Sequence, residues 1–226
     1  MRIGLINPRG AYVATNPWMK KFMEDHASSF RSWMIPNLGL LTIAGMTPKE
    51  IEVAYVDENV EPVDFDEDYD LVALSGMTQQ VSRAYEIAKE FRSRGVHTVI
   101  GGPHATVMSE ETQHHIDTVI VGEAEGDWEE FLEDFSRGVP RRIYLNDSLA
   151  KVDLSRSPVP RYDLIRPEFF APSFDYKMIP VQTTRGCPRD CDFCSVPQVY
   201  GKAFRTKSVS QVIADVEEAK KVAKGL

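Results

Sequence analysis

The sequence has few cysteines, no long hydrophobic run and no surplus of positive charge. Only three cysteines occur in 226 residues, and all lie between positions 187 and 194. No stretch reaches the roughly 18 consecutive apolar residues of a membrane-spanning helix, and the apolar run within residues 1–10 is too short for a signal peptide. The formal net charge of -8 gives no general attraction to nucleic acid or to anionic membranes. These absences predict a cytoplasmic protein without a transmembrane segment or a nucleic-acid partner.

The three cysteines form one compact motif, Cys187-x3-Cys191-x2-Cys194. Thiolates are soft, anionic ligands, and this spacing lets three sulfur atoms bind one small inorganic core. A structural zinc site usually has four ligands, commonly in paired Cys-x2-Cys units, and the sequence has no second pair. A disulfide would leave one cysteine over and would close only a short loop. The motif therefore favours a four-iron cluster with three protein ligands and one open iron.

The first 145 residues alternate between strand-like and helix-like segments. Strand-like runs are at residues 3–7, 51–57, 71–75, 98–100 and 118–121, with a short additional one at 143–146. Helical periodicity is clearest in residues 79–94 and 127–135, and a further helix begins at Leu38. The alternation predicts an α/β fold, a Rossmann-like doubly wound parallel sheet. Such sheets bind ligands at the carboxyl ends of their strands.

Small residues follow three of the predicted strands. The segments are Ser75-Gly76-Met77-Thr78, Gly101-Gly102-Pro103-His104 and Gly122-Glu123-Ala124-Glu125. Because parallel strands end at one edge of the sheet, these segments are expected to form a cleft open to something large and flat. Residues 8–36 make an unusually long connection, which predicts either a lid over that cleft or an extra packing helix.

The second part of the chain is organised differently. Residues 146–177 contain a proline-rich stretch and are interpreted as a linker. Residues 178–184 are predicted as a strand with the cysteine loop at its carboxyl end, and residues 208–224 as an amphipathic helix. The predicted domains are therefore residues 1–145 and 178–226, joined by residues 146–177.

The cysteine motif, with Phe193 just before the last cysteine, closely resembles the radical S-adenosylmethionine superfamily. The resemblance implies that Cys187, Cys191 and Cys194 hold a 4Fe-4S cluster whose open iron binds S-adenosylmethionine. It also implies that Phe193 lies near the adenine and that an external electron donor reduces the cluster.

Several motifs in their order also resemble the cobalamin-binding subgroup of that superfamily. They are Asn7-Pro8, Pro36-x-Leu38-Gly39-Leu40-Leu41, the Gly-Gly-Pro-His and Gly-Glu-x-Glu segments, and then the cysteine loop. The resemblance implies roles in cobalamin binding: Ser75 and Thr78 at the nucleotide tail, Gly101, Gly102 and His104 near the corrin edge, and Gly122 and Glu123 along the remaining wall.

One departure from corrinoid proteins concerns the lower cobalt ligand. The Asp-x-His-x-x-Gly signature is absent from the loop after the first strand. This leaves cobalamin binding itself open. His104 is then either a ligand or, as the alternative, a hydrogen-bonding residue of its Gly-Pro turn.

The resemblance implies the N-terminal part of a radical S-adenosylmethionine enzyme, ending in the first βα unit of an incomplete barrel. The parent protein is expected to transfer a methyl group to, or rearrange, an unactivated carbon of a small-molecule or lipid-like substrate. The alternative is a non-catalytic module that binds a corrinoid or a partner. By itself the 226-residue chain is expected to be inactive, and its open barrel edge predicts contact with the first domain or with a second copy. No catalytic residue is assigned.

Overall fold

The computed structural model describes residues 1–10, 18, 21, 35–145, 152–166 and 178–222. Six parallel strands form its main sheet: β1 (Arg2–Asn7), β2 (Glu52–Asp57), β3 (Leu71–Ser75), β4 (His97–Gly101), β5 (Thr118–Val121) and β6 (Ile143–Leu145). Their order in space is β2-β1-β3-β4-β5-β6. The Rossmann-like parallel sheet predicted from the sequence is confirmed. The lid predicted at residues 8–36 lies mostly outside the described residues.

Helices and shorter elements connect these strands and continue beyond them. The helices are α1 (Leu38–Met46), α2 (Thr78–Ser93), α3 (Pro103–Val107), α4 (Ser109–Thr112), α5 (Asp127–Ser136), α6 (Val196–Tyr200) and α7 (Val209–Val222). Two 3-10 turns, Leu154–Arg156 and Tyr162–Leu164, and two short strands, β7 (Thr184–Arg185) and β8 (Arg205–Thr206), complete the described elements. Within the described ranges no helix is long and apolar enough to cross a bilayer.

Successive side chains of a strand point to opposite faces of the sheet, and helices cover both faces. In β3, Leu71 and Ala73 belong to the core that α1 and α5 cover. Val72 and Leu74 belong to the core that α2 and α3 cover. With both faces occupied by helices, ligand access is left to the strand ends, as in other doubly wound sheets.

The second part of the chain differs from the predicted first strand of a barrel. The sequence predicts a strand over residues 178–184, but only Thr184 and Arg185 form one, and they pair antiparallel with Thr206 and Arg205. Pro180 has no N–H to donate to a ladder, and no described strand lies beside residues 178–183. In the described chain the cysteine segment is therefore held by a two-residue antiparallel ladder. The helix predicted at 208–224 is observed as α7.

The second part packs against α1 of the first. Leu41 of α1 forms a small buried cluster with Ala219 of α7 and with Tyr162 and Ile165 of the preceding segment. The Tyr162 hydroxyl donates to the Pro180 carbonyl oxygen over 3.0 Å. These contacts place the start of the cysteine segment beside the carboxyl edge of the main sheet.

Candidate functional site

A cavity of about 630 Å³ opens at the carboxyl edge of the sheet. Its lining includes Asn7 at the end of β1 and Ser75 at the end of β3. The chain leaves β1 towards β2 on one side and enters β3 on the other, so the cavity lies at the switch point where doubly wound sheets bind ligands. Its volume lies within the roughly 300–1,000 Å³ typical of ligand sites.

The deep part of the cavity is apolar. Ala73, Val99 and Ile120 of the sheet and Trp128 of α5 line it, and all four belong to one buried apolar cluster. The Trp128 ring is fixed because its Nε1 donates to Thr47 Oγ1 over 3.0 Å. This part can accept a flat apolar group, since the strand residues are small or branched and the tryptophan wall is held in place.

Five of the seven residues predicted to bind cobalamin line this cavity. They are Ser75, Gly101, Gly102, Gly122 and Glu123. The most constrained of them is Gly102, whose φ is +99° and where a Cβ would lie 2.9 Å from Ser75 Oγ. Only glycine adopts such a backbone without strain. At Gly122, with φ +93°, a Cβ would meet nothing within 4 Å, so that wall is open.

His104 and Thr78 pair with each other behind the strand ends. His104 is buried, with its Nδ1 3.2 Å from Thr78 Oγ1 and its Nε2 3.0 Å from Glu111 Oε2. A neutral imidazole satisfies both contacts by accepting from the threonine hydroxyl and donating to the carboxylate. This geometry supports the hydrogen-bonding alternative for His104, because both ring nitrogens already have partners within the fold.

A group of side-chain amides borders the cavity at the end of β1, and sequence reasoning missed it. Asn7 Oδ1 accepts from Asn37 Nδ2 over 3.2 Å and from Gln80 Nε2 over 3.3 Å. Gln80 Nε2 also donates to the Pro8 carbonyl oxygen over 2.7 Å. Asn37 could have pointed to this group from the sequence, because an asparagine directly before a helix commonly caps it. In the structure its Oδ1 accepts a hydrogen bond from Leu40 N at the start of α1. These amides hold the first loop, α1 and α2 around the cavity mouth.

Four charged side chains form a second feature, which we call the arginine–glutamate node: Glu123, Glu125, Arg185 and Arg205. Arg185 Nη1 lies 2.9 Å from Glu123 Oε2, and Arg185 Nη2 lies 2.7 Å from Glu125 Oε1. Arg205 Nη1 donates to Glu123 Oε2 over 2.7 Å, and its Nη2 also pairs with that carboxylate. The predicted wall residue Glu123 is therefore an ion-pair residue shared by two arginines.

The protonation behaviour of the node follows from its burial and its charges. Burial acts to raise the pKa of Glu125, but hydrogen bonds and the charge of Arg185 outweigh it, and the pKa lies below its usual value. Burial acts to lower the pKa of Arg185, but Glu125 and Glu123 raise it overall. Both residues are consequently charged at neutral pH.

The cysteine loop lies between β7 and α6. Cys187 and Cys194 are half-buried, Cys191 is exposed, and all three are free thiols. Cys187 N donates to the Gly201 carbonyl oxygen over 3.0 Å, and Cys194 N to that of Cys191 over 3.0 Å. Among the described residues, no three histidine, cysteine or carboxylate side chains are grouped as ligands of one metal ion. Phe193 is 92% exposed.

Comparison with known proteins gives the family. Residues 34–132 match the B12 binding domain family. The chain is also 35% identical over 185 residues to bacteriochlorophyllide d C-8(2)-methyltransferase of Chlorobaculum tepidum, a match covering 81% of this chain and 40% of that protein. The chain belongs to the cobalamin-binding radical S-adenosylmethionine proteins. The family and its cofactor set predicted from the sequence are confirmed.

This radical S-adenosylmethionine protein also resembles a second methylase in sequence and a solved methyltransferase structure in fold. Hopanoid C-2 methylase of Rhodopseudomonas palustris is 28% identical over 199 residues, covering 86% of this chain and 36% of that protein. The structure of the radical S-adenosylmethionine methyltransferase TsrM of Kitasatospora setae, with cobalamin and a [4Fe-4S] cluster bound, has a TM-score of 0.58 at 16% identity, covering 98% of this chain and 46% of that one. At that identity the likeness shows the fold alone. The chain thus spans less than half the length of these relatives.

Proposed function

We propose that these residues are the corrinoid-binding and cluster-binding part of a radical S-adenosylmethionine methyltransferase that acts on a small molecule. One observation carries the proposal. Arg185 lines the cavity and lies two positions before Cys187, so the cavity and the cysteine loop share a wall. A site for a methyl carrier and a site for a reducing cluster must adjoin if both are to serve one reaction. The relatives supply the reaction class, since they are methyltransferases.

The cavity fits a corrinoid in two respects. Gly101, Gly102 and Gly122 line it without side chains, and at Gly102 a Cβ would lie only 2.9 Å from Ser75 Oγ. Its deep part between the sheet and Trp128 is apolar, as a heteroaromatic base requires. In this assignment Ser75 would bind the nucleotide tail of the corrinoid, and the strand-end glycines would allow close approach of the backbone.

The cysteine loop fits a cluster by its donor set. Three free thiols within eight positions offer three soft, anionic ligands and leave one iron without a protein ligand. In this assignment Cys187, Cys191 and Cys194 are those ligands. When bound, the corrinoid carries the methyl group, and the cluster with S-adenosylmethionine supplies one-electron chemistry. The contribution of this chain is to bind and orient the two groups and to hold water out of the apolar part of the cavity.

The proposed substrate is a small molecule with an apolar ring system. The support comes from two relatives, whose names give a bacteriochlorophyllide and a hopanoid. An external electron donor completes the proposed set of partners.

Anaerobic reconstitution tests the proposal. The purified chain is incubated with iron, sulfide and hydroxocobalamin, desalted, and analysed for metal content and visible absorption. Retention of iron, sulfide and the corrin spectrum in one sample supports the proposal. A corrin spectrum without iron or sulfide would favour the non-catalytic corrinoid-binding module, and absence of both from the desalted chain would refute the proposal.

A further inference from the structure

Buried charges of the arginine–glutamate node join parts of the chain that are distant in sequence. The side chains of Glu123, Glu125 and Arg185 are 5%, 11% and 10% exposed, and that of Arg205 is 15% exposed. Two carboxylates and two guanidinium groups make the node neutral overall. Burying charges is costly unless they are paired, and each of these four side chains is paired with an opposite charge.

The two arginines come from opposite strands of one ladder. Arg185 of β7 and Arg205 of β8 are direct partners in the antiparallel pair. Directly opposed residues project to the same face of a ladder, and both guanidinium groups reach the carboxylate of Glu123. Arg205 also donates to the carbonyl oxygens of Val152 and Tyr200, each over 2.8 Å. Glu123 thus anchors the ladder to the end of β5.

The same ladder forms the base of the cysteine loop. Gly186 follows Arg185 with φ +92°, and a Cβ there would lie 2.1 Å from the Ala203 carbonyl oxygen. The next residue, Cys187, donates its N–H to the Gly201 carbonyl oxygen over 3.0 Å. Between Arg185 and Cys187 the backbone is packed tightly against the β8 side. A shift of Arg185 is therefore transmitted to the first cysteine.

The cavity reaches the node from the other side. Glu123, Glu125 and Arg185 all contribute to the cavity lining. A molecule that fills the cavity contacts the same side chains that hold the base of the cysteine loop. A contact of this kind couples the two sites, because ordering the node for one occupant removes part of the ordering cost for the other.

We infer that Glu123 is a positioning residue that couples occupancy of the cavity to the arrangement of the cysteine loop. The inference deepens the proposed function and rests on it. Glu123 acts through Arg185 and Arg205 and has no part in the chemistry. Loading the loop with its cluster is expected to tighten corrinoid binding by at least about fivefold, the lower end of common coupling factors. By reciprocity, corrinoid binding stabilises the loaded loop by the same factor.

The test compares Glu123→Gln with Glu58→Gln. Glutamine keeps the shape of the side chain and removes its charge. Glu58 is a matched control because it is also buried, at 6% side-chain exposure, and also pairs with an arginine, Arg83, at 2.6 Å. Its ion pair joins the end of β2 to α2 and does not involve the cysteine segment. Any general cost of removing a buried charge therefore appears in both variants.

The first readout is the ratio of hydroxocobalamin Kd values without and with the reconstituted cluster. The ratio should be at least about five in the parent chain and in Glu58→Gln, and close to one in Glu123→Gln. A ratio near one in the parent chain, or an unchanged ratio in Glu123→Gln, would overturn the inference while leaving the proposed function intact. Failure of the parent chain to bind hydroxocobalamin would overturn both.

The second readout needs no cofactor. Amide hydrogen exchange at Cys187 in the apo chain should be at least about tenfold faster in Glu123→Gln than in Glu58→Gln, because the ladder has lost its anchor. Equal exchange in the two variants would contradict the inference. If Glu123→Gln does not fold, Arg185→Lys provides the same comparison, since lysine keeps the charge but cannot bind two carboxylates in a fork.

Discussion

The sheet region (residues 1–145) and the cysteine region (residues 178–222) are stabilised in different ways. The sheet region has two apolar cores, one on each face. The cysteine region shares one small apolar cluster with α1 and also buries charged pairs: the arginines of the node, and Lys207 with Asp215, whose side chains are 2% and 1% exposed and lie 2.6 Å apart. The comparison indicates that the sheet region can hold its fold from its own sequence, whereas the cysteine region depends on contacts with the sheet region.

The largest expected effect comes from removing one thiol. Cys191→Ala should reduce iron and sulfide loading to background, because two thiolates cannot retain a four-iron cluster. The melting temperature of the apo chain should not change, since Cys191 is exposed and makes no packing contribution to the sheet region. Metal analysis and thermal unfolding measure the two effects. Normal iron and sulfide content in this variant would show that the cysteine loop does not bind the cluster.

The next largest effect is expected in the sheet region, at the cavity. Gly102→Phe should weaken hydroxocobalamin binding by at least about 100-fold, because its side chain would project at the cavity mouth where a Cβ already lies 2.9 Å from Ser75 Oγ. Gly138→Phe is the control for a bulky side chain at another positive-φ glycine: its φ is +73°, it is not among the cavity-lining residues, and nothing lies within 4 Å of a Cβ there. Equal loss of binding in both variants would show that strain, and not obstruction of the cavity, is responsible.

A smaller effect concerns the buried pair of the cysteine region. Lys207→Ala leaves Asp215 buried and without its cation, which should destabilise this region by about 3–5 kcal/mol. The side chain of Asp215 lies near Tyr162, so burial and the Asp215 charge both raise the pKa of that phenol. Chemical denaturation followed by hydrogen exchange should show early opening of α7 with β3 still protected. Simultaneous loss of protection in both regions would show that they unfold as one unit, which would contradict separate stabilisation of the two regions.

The smallest effect is on acid stability. Because Arg185 depresses the pKa of Glu125 below its usual 4.5 in the folded chain, this carboxylate stabilises the fold fully above pH 4.5. That contribution is lost as the pH falls through the lower, folded-state pKa. Glu125→Gln should therefore give a shallower loss of stability with acid. Unfolding midpoints in denaturant between pH 3 and 7 measure the slope, and identical slopes for the two chains would contradict the assignment.

Prediction from sequence succeeded where the signal is local. Residues 71–75 were predicted as a strand and form β3, whose alternate side chains lie in opposite cores. It was less complete for residues 178–184, which have the composition of a strand. A strand forms only where a partner ladder exists, and within the described chain that partner reaches only Thr184 and Arg185. Glu123 lines the cavity, but its pairing with two arginines was not foreseen.

The sequence was enough to predict the fold class of the sheet region, the edge of the sheet at which the cavity lies, and the three thiols that can serve as cluster ligands. Each depends on spacing between neighbouring residues, which a single chain displays directly. Tertiary structure alone decided that Glu123 meets Arg185, 62 positions away, and that His104 turns to Thr78 and Glu111. The residues next to a charged side chain in the sequence do not indicate which distant residue it will pair with. The partner is selected when burial makes an unpaired charge too costly to keep.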